Sequence, residues 1–119
     1  MKRFSNRTIL SAAVIVLTPQ FALADDTATG DEIRTYLSGN TLQGSTGTDP
    51  FAEYYDPDGT IRGNGYTAKW KVEGDSGCMD YGKGFDCWSA ILSGEGSIWI
   101  KEGAADAAGM MRTGNPNNF

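Results

Sequence analysis

Side chains able to do chemistry are few in this sequence, and which ones are missing is the first constraint. The chain contains no histidine, so it offers no imidazole as general base or metal ligand. Its two thiols, Cys78 and Cys87, are separated by eight residues, where a redox C-x-x-C motif has two. A zinc site would need two further ligands of the His or Cys type. Carboxylates are the remaining candidates. Glu53, in the stretch FAEYY, falls on the same strand face as Phe51 and Tyr55. It is the one acid whose register turns it inward, and the sequence shows no second carboxylate beside it of the kind that sugar hydrolysis requires.

The stretch YYDPDGT, residues 54–60, places Asp56 and Asp58 close together and so raises calcium binding. An EF-hand loop wants acidic or amide ligands at positions 1, 3 and 5, glycine at 6 and a bidentate glutamate at 12. Starting at Asp56 puts Ile61 and Thr67 at positions 6 and 12; fixing Gly59 at position 6 puts Tyr54 and Gly65 at the ends. Neither register supplies the ligands. The same residues suit a hairpin turn, with Pro57 setting φ and Gly59 taking the left-handed position. No metal or other cofactor is expected.

The amino terminus has a different logic. Lys2, Arg3 and Arg7 precede an apolar run from Ile9 to Leu17, and Ala22-Leu23-Ala24 follows. The run is far shorter than the roughly 18 apolar residues of a spanning helix, so residues 1–24 are expected to be a secretory signal peptide. Residues 25–119 then form a single small domain, periplasmic or secreted, without a membrane anchor. Seven basic residues remain there against fifteen acids, a net charge of −8. Such a surface repels phosphate backbones, which argues against nucleic acid, and leaves a basic protein as a possible partner. In an oxidising compartment, the Cys78 and Cys87 pair is expected to form one structural disulfide.

These residues need a scaffold, and the chain's periodicity indicates which. Thr29-Gly30-Asp31-Glu32 has the form of a capping box, followed by Ile33, Tyr36 and Leu37 on one stripe and Gly39 as a stop, which predicts one short helix. From Asn40 the period becomes two. In YTAKWKVE, residues 66–73, Tyr66, Ala68, Trp70 and Val72 share one face. The two turns at 56–60 and Asn64-Gly65 predict a common register: Tyr55 opposite Ile61, Tyr54 opposite Arg62, Ile61 opposite Ala68 and Gly63 opposite Tyr66. Cys78 opposite Cys87 would close a further hairpin, with Met79, Tyr81, Trp88 and Ala90 on its inner face and the disulfide outside the core. In SIWIK the alternation places Ile98 and Ile100 inward and Trp99 outward, and a register shifted by one residue would turn Trp99 into the core instead. The tail from Glu102 through Arg112 is compatible with either a short helix or a closing strand. The expectation is a mainly β domain, a small antiparallel meander barrel or sandwich of six to seven short strands preceded by one helix.

SGNTLQG (38–44), EYYDPDGTIRG (53–63), the Trp70-x-Val72 strand, the Cys78 and Cys87 pair with Trp88, and the late GNPN (114–117) together resemble a group of small exported proteobacterial β-rich proteins of unknown function. The likeness spans most of residues 25–119. It implies a periplasmic β domain and brings no catalytic or binding residues with it. More loosely, the size, single disulfide and meander are similar to periplasmic lipocalin-like barrels, including small inhibitors of host lysozyme.

Eleven aromatic residues remain after the signal, enough to line an interior that takes a small apolar ligand. A binding or interaction protein is therefore expected, with no catalysis. The candidate binding residues are Tyr54 with Arg62, where a ring and a guanidinium can stack, Trp70, Trp88 and Trp99, and Tyr81 and Phe85 of the loop DYGKGFD, residues 80–86. That loop, framed by the cysteines, also suits an inhibitor of a host or competitor hydrolase. A carboxylate-dependent hydrolase built on Glu53 is the remaining alternative.

Overall fold

The computed structural model describes residues 26–119, so the expected signal peptide, residues 1–24, lies outside the described residues. The helix α1, Gly30–Leu37, begins with both hydrogen bonds of its capping box. The Glu32 amide donates to the Thr29 hydroxyl at 3.2 Å, and the Thr29 amide donates to the Glu32 carboxylate at 2.8 Å. Gly39 then leaves the helix at φ 79°, a left-handed conformation in which a β-carbon is costly.

Eight strands follow: β1 Asn40–Ser45, β2 Pro50–Tyr55, β3 Thr60–Gly63, β4 Tyr66–Glu73, β5 Ser76–Asp80, β6 Asp86–Ser93, β7 Gly96–Lys101 and β8 Ala104–Thr113. Each pairs antiparallel with its neighbour in sequence, and β8 pairs with β1, closing a barrel. The count of six to seven strands is thus corrected to eight, and the ambiguous tail is the extra one. Its run of alanines has weak strand propensity, but β1 and β7 each offer it an unpaired edge, and closure satisfies both.

The turn-derived registers hold. Tyr54 stands opposite Arg62, Tyr55 opposite Ile61, Ile61 opposite Ala68, and Gly63 opposite Tyr66. The D-P-D-G segment is a turn: the Asp56 amide donates to Thr60 O at 2.8 Å, the Gly59 amide to Asp56 O at 3.0 Å, and Gly59 has φ 95°. Arg62 bonds Asp56 at 3.2 Å and approaches Asp58 at 3.8 Å. The Asp58 backbone amide and the Arg62 guanidinium together hold the Asp56 carboxyl below its usual range.

The expected outward placement of Trp99 is overturned. Ser93 pairs with Gly96 across a two-residue turn, which sets Ala90 opposite Trp99. Ala90 faces inward, and residues paired across a sheet share a face. Trp99 and Ser97 are therefore buried and Ile98 is 41% exposed. The indole N–H donates to the Ser97 hydroxyl at 2.9 Å, so burial leaves it satisfied.

One end of the barrel is closed by α1. Ile33 and Leu37 are wholly buried there, the Gly30 amide donates to the Asp75 carboxylate at 2.8 Å, and the Tyr36 hydroxyl donates to Glu95 O at 2.7 Å. The core beside the helix contains Tyr55, Ile61, Trp70 and Trp99. The Tyr55 and Trp70 rings meet edge to face at 5.7 Å.

Candidate functional site at the open end of the barrel

The end away from the helix keeps a cavity of about 250 Å³. Leu42, Tyr55, Met79 and Trp99 bound it on the helix side, and Phe51, Trp88, Ala107 and Tyr81 form its flanks. The polar lining is brief: Glu53, Thr46 and Asp106, with the tyrosine hydroxyls. An apolar cleft with a few placed polar groups is the usual form of a small-molecule site.

Glu53 is its chemical centre. The β2 register turns this residue inward, opposite Leu42, and it is 4% exposed. Three phenols donate to its carboxylate: Tyr55 to Oε1 at 3.0 Å, Tyr81 to Oε1 at 2.8 Å and Tyr66 to Oε2 at 2.6 Å. Sequence reasoning placed Glu53 inward but found it no partner. The partners come from three strands or strand ends, β2, β4 and the end of β5, which the curvature of the consecutive strands β2 to β5 brings together. Tyr66 was missed as a site residue altogether. It stands across β3 from Glu53, and its ring spans the gap by lying over Gly63, where a β-carbon would collide with the ring. The glycine in TIRG followed by Tyr66 was the available signal, because an aromatic ring folding over a strand glycine is a known sheet device.

The three phenols are held as neutral donors. Burial first, then the Glu53 charge and its hydrogen bond, push Tyr55 well above the usual tyrosine range. Tyr66 and Tyr81 are also raised by burial and by Glu53. Each would lose both its hydrogen bond and the absence of like charge if it ionised beside the carboxylate.

A second acid reaches the same cavity. Between Trp99 and Ile100 the β7–β8 register shifts, pairing Trp99 with Ala107 and Ile100 with Ala105, so Asp106 is the unpaired bulge residue. Bulges re-aim side chains, and the Asp106 carboxylate accepts the Trp88 indole N–H at 2.9 Å. The strand reading of the tail was needed to see this.

Of the sequence-derived candidates, Tyr81, Trp88 and Trp99 meet at the cavity. Trp70 packs in the core, its indole N–H donating to Asp56 O at 2.8 Å. Arg62, opposite Tyr54, is engaged by the turn carboxylates. Phe85 lies outside, with the Lys71 ammonium 4.4 Å from its ring centre. Lys71 pairs with Cys78, so this is the outer face that also carries the Cys78–Cys87 bond. Cys78 is wholly buried and Cys87 exposed, and neither belongs to the interior cluster. In the loop between β5 and β6, the Asp80 carboxylate caps the Gly82 and Gly84 amides at 2.7 and 3.0 Å.

No family model, curated protein or solved structure matches the chain.

Proposed function

We propose that this protein works by binding, taking a small apolar molecule into the open end of its barrel in an oxidising, exported compartment. The observation that carries the reading is the cavity itself, about 250 Å³ with mostly apolar walls and a single buried carboxylate. The volume lies just below the roughly 300 to 1,000 Å³ of drug-sized sites, so a fragment-sized ligand fits. The disulfide suits such a compartment. Among the described residues no helix is long and apolar enough to cross a membrane.

The inhibitor alternative draws less support, because Tyr81 of the disulfide-framed loop is spent inward on Glu53. Catalysis would rest on Glu53, whose carboxylate is already engaged by three phenol donors.

Titration with a small apolar compound should change the emission of Trp88 and Trp99, which line the cavity, and Ala107→Trp, which fills it, should abolish the change. Equal binding by the filled variant would refute the reading. Turnover of a glycan or peptide, lost in Glu53→Gln, would assign an enzyme instead.

A further inference from the structure

Among the described residues, no ion pair gives the buried Glu53 carboxylate a countercharge. Its stabilisation comes from three neutral phenols. A desolvated charge is costly unless it is paired and hydrogen-bonded, and here only the second condition is met. The acceptor count is also incomplete. A carboxylate accepts about four hydrogen bonds, two of which reach Oε1 and one Oε2, leaving one position on Oε2.

The surroundings have the same sign. Asp106, the other charged group of the cavity, is also an acid. Lys101, a base at the rim on the same face of β7 as Trp99, has its ammonium 3.3 Å from Asp86 and 5.0 Å from the Trp88 ring centre, so its ion pair is with Asp86 and not with Glu53. The interior therefore joins aromatic faces, which attract cations, to a buried anion with a free acceptor position.

Resting on the binding proposal above, we infer that the ligand is an organic monocation: a protonated amine whose N–H donates to Glu53 Oε2 and whose short apolar or aromatic body fills the space among Leu42, Phe51, Met79 and Trp99. The amine supplies the charge that the fold leaves out. An acid of the same shape is repelled by Glu53 and Asp106, and a neutral alcohol fills the space without the ionic contribution.

The test is a set of same-sized probes on the folded protein, followed by calorimetry and tryptophan emission: benzylamine, benzyl alcohol, toluene and benzoate. Benzylamine should bind at least about tenfold tighter than benzyl alcohol, as expected for a hydrogen bond to a charged group, and benzoate should not bind. Glu53→Gln should erase the preference for the amine while keeping toluene binding. Should that variant not fold, Tyr66→Phe keeps the ring and removes the hydroxyl on Oε2, and it should strengthen benzylamine binding without affecting toluene. If toluene and benzyl alcohol bind as tightly as benzylamine, the cation inference falls and the apolar cavity stands. If no probe binds, both fall.

Discussion

Gly63→Ala is the substitution that most directly tests how the site is assembled. Gly63 is not among the residues with positive φ, so alanine suits its backbone. The obstacle is the Tyr66 ring, which occupies the position of the new methyl group. The ring is the far end of a flexible side chain, and Tyr66 is already 41% exposed, so it should swing outward and leave the barrel intact. Its departure removes a hydrogen bond to a buried charge, about 1.5 to 3 kcal/mol, and exposes part of the ring, about 1 kcal/mol more. Replacing glycine reduces unfolded-state entropy and returns about 0.5 to 1 kcal/mol. The net loss is about 2 to 3 kcal/mol, or a fall in melting temperature of about 10 °C or more for a domain of this size. Denaturant unfolding of Gly63→Ala, Tyr66→Ala and the double variant measures it: with Tyr66 absent, the added methyl should be slightly stabilising, giving a coupling of about 2.5 to 4 kcal/mol. An equal loss in both backgrounds would show that the methyl strains the backbone and that Tyr66 is not what Gly63 accommodates.

Three other outcomes are expected. Replacing Cys78 and Cys87 with alanine should cost about 2 to 3 kcal/mol in reversible unfolding, as the loop-entropy model gives for so short a loop, and should leave amine or toluene binding intact at low temperature because the bond is on the outer face; lost binding by a folded variant would contradict that placement. Trp99→Ala should destabilise by about 3 to 5 kcal/mol and Ile98→Ala by about 1 kcal/mol or less, and the reverse order in thermal melts would restore the outward tryptophan. Tyr55, Tyr66 and Tyr81 have folded-state pKa values raised above the ordinary 10.0, so the stability they contribute is fully present below about pH 10 and is lost as pH rises above it. The wholly buried Tyr55 contributes a slope of up to about 1.4 kcal/mol per pH unit, with solvent screening reducing the share of the more exposed pair; unfolding measured between pH 9 and 12 that showed no decline would refute the carboxylate cluster.

The local elements are legible along the chain because their causes are local. The capping box of α1 needs Thr29 and Glu32 three residues apart, and the turns at Pro57-Asp58-Gly59 and Asn64-Gly65 impose their registers through backbone conformation alone. From those turns the inward set of Tyr55, Ile61, Ala68 and Trp70 follows by alternation, whereas Cys78 opposite Cys87 follows from the disulfide that their spacing and compartment predict. Trp99 was also within reach, since the turn after Ser93 carries the inward face of Ala90 across to it; counting alternation from the isoleucines, without that turn, gave the opposite face. That Ala104–Thr113 is a strand follows from tertiary context, since its weak propensity is overridden by the two open edges of β1 and β7. Tyr66, 13 residues from Glu53, is lined up with it through Gly63 by the two turn registers, whereas Tyr81, 28 residues away, reaches it only through the curvature of β2 to β5. No periodicity in the chain encodes such a meeting, because it depends on how far the sheet curves before it closes on itself.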